Sequence, residues 1–188
     1  YDKNIRPLTD YPTRLVQHLF SLYGLAEGMT LLEAGCGRAE HLKEFGNLGL
    51  TVFGTDISAE SAKQSPNLDI RVCNSDIEQL PFDDDYFDIV YSKSFLEHLE
   101  NPSVFLREAL RVLKPGGLLI SLVPDWESQY MKFYDDYTHV SPFTEISLTN
   151  IQLASGFEDV DTRKFRQLPI TWKYPVMDCF CKMIGLFV

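Results

Sequence analysis

Basic side chains are scarce in this sequence of 188 residues: 17 lysines and arginines stand against 27 aspartates and glutamates, which gives a net charge of −10. Proteins that bind the phosphate backbone of nucleic acids rely on clustered lysine and arginine. The charge balance therefore argues against a nucleic acid as the usual partner. It does not name a substrate.

Cysteines and long apolar runs are also few. The four cysteines, at positions 36, 73, 179 and 181, have the spacing of neither a zinc site nor a disulfide framework, so they fit a reducing cytoplasm. The apolar stretch Pro175–Val188 is shorter than the roughly 20 residues that a membrane span requires, and no secretory signal is visible. We therefore expect a cytoplasmic protein without a membrane span.

The chain is nevertheless long and apolar enough for one domain with a sizeable core, since 45% of its residues are hydrophobic. Strand-like runs alternate with helical patterns, which predicts an α/β fold with a doubly wound, mostly parallel sheet and helices on both faces. Within a single domain of residues 1–188, we expect a helical cap at 1–29, a ligand-binding core at 30–123, and a lid, last helix and strand with an apolar tail at 124–188.

The local patterns predict individual elements. Predicted helices cover 12–24, 40–47, 58–64, a stretch beginning at Pro102, and 142–155 with Ser141 or Thr144 as the cap. Predicted strands cover 30–34, 50–54, 69–73, 87–91 and 118–123, with an edge-type strand at 157–165.

The most informative stretch is Thr30–Leu42, TLLEAGCGRAEHL, in which an apolar run turns at Gly35 and Gly37 into a helix start. Glycines permit the sharp turn, after which backbone N–H groups at the helix N-terminus are free to face a ligand. A dinucleotide fingerprint needs a third glycine where this chain has Glu40, and Glu33 adds more negative charge. The loop therefore favours a cationic or zwitterionic ligand over a doubly charged anion.

This EAGCG segment resembles the first motif of the class I S-adenosylmethionine-dependent methyltransferases. The resemblance continues through LPFDDDYFDIVYS at 80–92, FLEHL at 95–99 and LREALRVLKPGG at 106–117, and so covers Leu31–Val123. It implies a Rossmann-like three-layer α/β/α fold, S-adenosylmethionine as the cofactor, and methyl transfer as the activity. The sulfonium, ammonium and carboxylate of that cofactor suit the charge of the loop.

Asp56 is the side chain most strongly indicated as a cofactor contact. It lies about 20 residues after the glycine loop, at the predicted tip of the second strand, where a carboxylate can accept both ribose hydroxyls. A role as helix N-cap ahead of Ser58 is an alternative, and the two roles are compatible. The resemblance further implies that Asp76 accepts from the adenine amine and that Ile57 and Ile77 cover the ring. The predicted cofactor-binding residues are Glu33, Gly35, Cys36, Gly37, Asp56, Ile57, Asp76, Ile77 and Ser92, with Tyr11 and Arg14 from the leader helix.

The acceptor side is predicted in the aromatic stretch Pro124–Ser141. Methyltransferases that act on amide or nucleobase amines commonly carry an Asn/Asp-Pro-Pro-aromatic motif after the fourth strand, where this chain has Ser-Lys-Ser-Phe at 92–95. The resemblance therefore favours an oxygen or a carbon of a small molecule as the acceptor. The segment 135–144 also resembles a stretch found in small-molecule and glycan-tailoring members.

His139 is the candidate general base, because imidazole titrates near neutrality and Asp135 or Asp136 can orient it. His98, just past the fourth-strand tip, is the second catalytic candidate. For both histidines a structural role stays open, as a group bonded to loop backbone, a helix cap or a core side chain. His18 and His41 are expected to be packing or surface residues, and no metal is expected, since no cluster shows ligand spacing.

Two other functions stay open. One is a non-catalytic, cofactor-binding assembly subunit. The other is an NAD-dependent oxidoreductase, which Glu40 disfavours. The apolar tail from Pro175 is predicted to dock or to form a homodimer. The seventh strand of the family's sheet cannot be placed on this sequence, and its absence would leave an exposed sheet edge.

Overall fold

A computed structural model describes residues 9–73, 79–174 and 176–177. Its helices are α1 (Tyr11–Leu22), α2 (Glu40–Asn47), α3 (Ala59–Gln64), α4 (Pro102–Val112), α5 (Trp126–Gln129), α6 (Glu145–Ala154) and α7 (Pro169–Lys173). Its strands are β1 (Thr30–Ala34), β2 (Thr51–Asp56), β3 (Asp69–Val72), β4 (Phe87–Lys93) and β5 (Leu113–Leu122). Two short 3₁₀ helices cover Leu96–His98 and Phe133–Asp135.

The five strands form one parallel sheet in the order β3-β2-β1-β4-β5. The chain runs outward from β1 to β3 and then returns to place β4 on the other side of β1, so the strand order reverses between β1 and β4. Ala34 at the end of β1 is paired with Thr55 on one side and Ser92 on the other. The predicted doubly wound parallel sheet is confirmed, and ligands bind such sheets at this reversal.

Helices cover both faces of the sheet. Leu31 of β1 belongs to one buried cluster with side chains of α1 and α2, whereas the next residue, Leu32, belongs to a second cluster with side chains of α4 and α6. Successive strand residues point to opposite faces, which explains the near-continuous apolar runs in β1 and β4. The predicted three layers, α/β/α, are confirmed.

Local signals place several helix ends correctly. Pro12 lies in the first turn of α1, where its missing N–H leaves no bond unmade. Thr144 caps α6 through a reciprocal capping box with Ser147, and Gly156 follows its end with a φ of 101°. Helix α2 covers the predicted range from Glu40 to Asn47.

The predicted edge strand over 157–165 is wrong. The segment forms no strand, and Asp159 within it has a φ of 52°, a left-handed conformation that interrupts an extended chain. In the part of the chain that the structure describes, β5 is therefore the last strand on its side of the sheet. An extended segment without a strand to pair with has no ladder to hold it in register.

Helix α7 packs against α1. Trp172 stacks on His18 with ring centroids 5.0 Å apart, so His18 is a packing residue as predicted. Most of the tail from Pro175, whose docking or dimer role was predicted, lies outside the described residues, as do Asp76 and Ile77. Within the described ranges, every helix is too short or too polar to cross a bilayer.

Candidate active site

The glycine loop after β1 is tied to the end of β2. The N–H groups of Gly35 and Cys36 both donate to the carbonyl oxygen of Thr55, at 2.8 and 3.0 Å. Gly35 has a φ of 70°, and a Cβ at this position would lie 2.5 Å from Cδ2 of Phe95, so a side chain is excluded by conformation and by space.

Asp56 joins the loop to the tip of β2. Its Oδ2 accepts from the N–H of Gly37 at 2.7 Å, and its Oδ1 accepts from the N–H of Ser58 at 2.8 Å. Each carboxylate oxygen keeps a second lone pair, which suits the two hydroxyls of a ribose. Ser58, rather than Asp56, is the N-cap of α3, because its side chain accepts from the N–H of Glu60.

These hydrogen bonds show how the loop is held. The N–H groups of Gly35, Cys36 and Gly37 are all donated within the chain. Backbone donors beside a strand end are satisfied by the nearest carbonyl or carboxylate, here those of Thr55 and Asp56. The glycines therefore shape the turn, and Asp56 is the side chain that holds it.

Glu33, on β1, is 3% exposed. Its Oε1 lies 3.5 Å from Nδ1 of His41, while its Oε2 has no hydrogen-bond partner among the described residues. Burial raises the pKa of this carboxyl, although His41 and Lys93 oppose the shift. An orphaned carboxylate oxygen beside the glycine loop fits the ammonium of an amino-acid ligand.

The tip of β4 carries Ser92, which was predicted to contact the cofactor, and Lys93. Ser92 is buried and its hydroxyl pairs with that of Ser121 on β5, 3.0 Å away. The next residue, Lys93, has its Nζ 5.8 Å from the ring centroid of Tyr11, and its charge lowers the pKa of Glu33 and of Glu97. Lys93 therefore acts electrostatically on both halves of the site. The sequence singled it out only as part of the tetrapeptide that replaces the amine motif.

The two predicted leader residues have different positions. Tyr11 is half-buried, its hydroxyl donates to Oε1 of Gln167 at 2.6 Å, and burial raises its pKa to about 12. Arg14 is exposed and pairs with Asp10 at 2.6 Å. Tyr11 thus lies near the tip of β4, where Lys93 approaches its ring. Arg14 lies about one helical turn further along α1, on the surface, and is paired with Asp10.

The remaining predicted cofactor residues differ in exposure. The Cys36 thiol is buried, and this burial raises its pKa, so it is a packing group beside the loop. Ile57 is 64% exposed just after β2, where an apolar side chain can cover a flat ring.

A buried glutamate, Glu97, lies in the 3₁₀ turn that follows β4. Glu97, in the 3₁₀ turn, is 0% exposed, and neither of its carboxylate oxygens has a hydrogen-bond partner in the described ranges. Burial raises its pKa to about 7. Its backbone oxygen accepts from the N–H groups of Val140 and Ser141, at 2.8 and 3.0 Å, which anchors the loop that carries His139.

The two histidines predicted to be catalytic meet at this point. The rings of His98 and His139 have centroids 4.8 Å apart. Glu97, His98 and His139 each offer one ligand atom, and these atoms all lie within 4.8 Å of one another. We call these three residues the His–Glu cluster.

Aromatic side chains line the neighbourhood of this cluster. Phe133 lies 4.7 Å from the His139 ring, 5.4 Å from Trp126 and 5.1 Å from Tyr134, measured between centroids. Phe133 is buried, whereas Tyr134 is exposed. The cluster therefore has an apolar wall on one side.

The cofactor side and the His–Glu cluster are adjacent. Phe95, which closes against Gly35, immediately precedes the turn that holds Glu97 and His98. The fold and these groups define an α/β protein in which a cluster of two histidines and a buried glutamate lies next to the glycine loop.

Comparison with known proteins identifies the class. A family described as "Methyltransferase domain" matches residues 32–121. The chain is 30% identical over 171 residues to the ubiquinone biosynthesis O-methyltransferase of Ruegeria pomeroyi, covering 80% of this chain and 68% of that protein. It is 33% identical over 111 residues to the 2-methyl-6-phytyl-1,4-hydroquinone methyltransferase of Synechocystis, covering 56% of this chain and 34% of that protein.

A solved S-adenosylmethionine-dependent methyltransferase from Archaeoglobus fulgidus has the same fold, with a TM-score of 0.68 and 22% identity over 92% of this chain and 86% of that one. The chain belongs to the class I S-adenosylmethionine-dependent methyltransferases. Family and fold imply S-adenosylmethionine as the cofactor, which disfavours an NAD-dependent oxidoreductase. It spans between about a third and two thirds of the length of the first curated relatives that it matches.

Proposed function

We propose that this enzyme transfers the methyl group to an oxygen, or alternatively a carbon, of a small-molecule acceptor. The observation that carries the proposal is the His–Glu cluster, which lies next to the glycine loop and has an apolar, aromatic wall. A hydroxyl acceptor must lose its proton, and this cluster provides the lone pairs that can receive it.

On the cofactor side, the chain's own residues would orient the cofactor and neutralise its positive charge. Asp56 would hold the ribose hydroxyls, and Glu33 would hold the ammonium through its orphaned oxygen. When bound, the cofactor supplies an electrophilic methyl group on its sulfonium. Asp76 and Ile77 stay predictions for the adenine, because they lie outside the described residues.

On the acceptor side, the chain's residues would align the acceptor with the methyl group and remove its proton. Phe133 and Trp126 exclude water from one side of the cluster and leave an apolar surface for the acceptor's body. His139 and His98 are the predicted proton-handling residues. The lysine and serines at 92–94 do not form the motif of amine-directed members, which supports an oxygen or carbon acceptor.

The relatives support the same choice of acceptor chemistry. One is named for O-methylation in ubiquinone biosynthesis and another for methylation of a phytyl hydroquinone. One name contains a quinone and the other a hydroquinone. A phenolic or similar hydroxyl is therefore the first acceptor class to test, with the ring carbon of such a compound as the second.

The test is turnover of methyl-labelled cofactor with a panel of acceptors: phenols and hydroquinones, sugars, hydroxylated lipids and primary amines. We expect product from a hydroxylated class, with the labelled methyl located on oxygen or carbon by mass spectrometry and NMR. Cofactor binding is measured in parallel by calorimetry. Methylation confined to amines, in a protein that binds the cofactor, would overturn the proposal.

A further inference from the structure

We propose that the His–Glu cluster is a binding site for one divalent first-row transition-metal ion, with Zn²⁺ as its test ion. Glu97, His98 and His139 bring one ligand atom each within 4.8 Å of one another. Two histidines, one glutamate and an open fourth position form a donor set that Zn²⁺ takes in catalytic sites. The two nitrogens favour such an ion over Mg²⁺ or Ca²⁺, which prefer oxygen ligands.

The tautomer of His139 is set by its partner. Its Nδ1 lies 2.7 Å from the carbonyl oxygen of Phe133. A carbonyl oxygen only accepts, so Nδ1 carries the hydrogen, and Nε2 of the neutral ring keeps a lone pair. A backbone carbonyl on the other ring nitrogen is the arrangement that orients histidines toward metals.

The tautomer of His98 follows from a relay of three groups. The hydroxyl of Thr138 donates its one hydrogen to Oδ1 of Asp136 at 2.6 Å. The Thr138 oxygen can therefore only accept from Nδ1 of His98, which lies 2.9 Å away. Nε2 of His98 then keeps a lone pair as well, and a carboxylate supports this histidine through the threonine.

Glu97 supplies the negative charge. Its carboxylate is 0% exposed, and in the described ranges neither oxygen has a hydrogen-bond partner, although the backbone N–H groups of Glu97 and Phe95 and the charge of Lys93 favour its ionised form. A buried carboxylate without a paired donor is costly, and a cation bound to it removes that cost. Three acceptors thus converge, and a cation satisfies all of them.

The geometry requires a modest adjustment. Zinc–ligand bonds of about 2.0–2.2 Å place two ligand atoms roughly 3.4 Å apart. An ion would draw the three atoms together from their present separations of up to 4.8 Å. Asp136, whose Oδ2 lies 3.9 Å from Nε2 of His139, is close enough to hold a water at the open fourth position.

Binding of the ion does not depend on the proposed function. Only the use of the ion in deprotonating the acceptor rests on it. A hydroxyl on the open position of such an ion loses its proton near neutral pH, because coordination lowers its pKa. The proton would pass to water or to Asp136. With the ion bound, the histidines would act as its ligands, and the ion would serve the deprotonation of the acceptor that the free histidines serve without it.

The experiment measures ion binding by the chelator-stripped protein. Zn²⁺ is titrated in competition with a chromophoric chelator, and Co²⁺ is added separately for its visible absorption. We expect one ion per chain and a Co²⁺ spectrum typical of nitrogen and oxygen ligands. Glu97→Gln, His98→Gln and His139→Gln should each weaken Zn²⁺ binding by at least about 10–100-fold, and Thr138→Val by about 10-fold.

His18→Gln is the matched control, because His18 stacks on Trp172 away from the cluster, and its affinity for Zn²⁺ should equal that of the wild type. Absence of stoichiometric Zn²⁺ and Co²⁺ binding would overturn the inference, as would equal binding by the three ligand variants. If the thermal transition shows that Glu97→Gln does not fold, the Zn²⁺ affinities of the His98→Gln and His139→Gln variants decide, because both histidines are only half-buried. Calorimetry with S-adenosylmethionine separates the two proposals: cofactor binding and turnover by a protein that takes up no Zn²⁺ would leave the proposed function standing and remove the metal site.

Discussion

The two halves of the site satisfy their polar groups in opposite ways. On the cofactor side, Asp56 accepts two backbone N–H groups, and Thr55 accepts two more from the glycine loop. On the acceptor side, Glu97 is fully buried with neither oxygen satisfied by the described residues. The glycine loop and Asp56 are therefore hydrogen-bonded before any ligand arrives, and Oε2 of Glu33 is the group left for a ligand on that side, whereas both oxygens of Glu97 are left for a ligand, proton or ion. A site that always binds the same cofactor can be rigid. A site for proton transfer, in contrast, needs groups whose lone pairs are not already used in hydrogen bonds.

The largest effect is expected from His139→Gln, which removes a lone-pair nitrogen of the His–Glu cluster. We expect kcat to fall about 10²–10⁴-fold, which is the usual contribution of a positioned acid or base. Steady-state turnover of labelled cofactor measures this loss. Affinity for S-adenosylmethionine, measured by calorimetry, should not change, and a parallel loss of affinity would contradict the division of the site into two halves.

Gly35→Ala tests how tightly the cofactor side is packed. The new Cβ would meet Phe95 at 2.5 Å in a left-handed conformation, so we expect a loss of about 2–4 kcal/mol in the free energy of unfolding. Urea denaturation measures it.

Gly24→Ala is the control for that variant. Gly24 has a φ of 61° and no atom within 4 Å of the added Cβ, so only the conformational cost of about 1 kcal/mol remains. Equal losses in the two variants would show that Phe95 does not press against the loop.

Asp56→Ala tests the polar contact of the cofactor side. It removes the acceptors of the Gly37 and Ser58 N–H groups together with the predicted contact to the ribose, and we expect affinity for S-adenosylmethionine to fall about 10–100-fold, as for lost hydrogen bonds to a charged group. Calorimetry gives the affinity. Asp161→Ala, which removes an exposed carboxylate paired only with Arg163, should bind as the wild type does. Unchanged binding in Asp56→Ala would remove the assigned role.

The smallest effect is expected at Asp88, far from the chemistry. Desolvation opposes its ionisation, but hydrogen bonds from Lys114 and Thr30 outweigh that effect and lower its pKa to about 2. Because the folded-state pKa lies below the unfolded value of 3.8, its stabilisation is present at neutral pH and is lost as the pH falls from 3.8 toward 2. We expect about 1 kcal/mol after solvent screening.

The measurement is the difference in unfolding free energy between the wild type and Asp88→Asn across this pH range. It should shrink as the solution becomes more acidic. A difference that is constant with pH would mean that the charge of Asp88 contributes nothing.

The cofactor side could be predicted because its signals are local. The apolar run before Gly35, the glycines themselves and the carboxylate after β2 are each read from a few neighbouring residues, and parallel strands then bring their carboxyl ends together. The loop's own hydrogen bonds could not be predicted, since a donor's choice between ligand and chain depends on which acceptor is nearest in space.

The sequence by itself determined the alternation of strands and helices, the glycine turn and the identity of the two candidate histidines, because periodicity and turn chemistry act over short distances. Only the tertiary structure decided that Glu97 and His98 meet His139, that Lys93 acts on both carboxylates, and that 157–165 forms no strand. The physical reason is that contacts between distant segments, and the pairing of a sheet edge, depend on how the whole chain packs and leave no pattern in the local sequence.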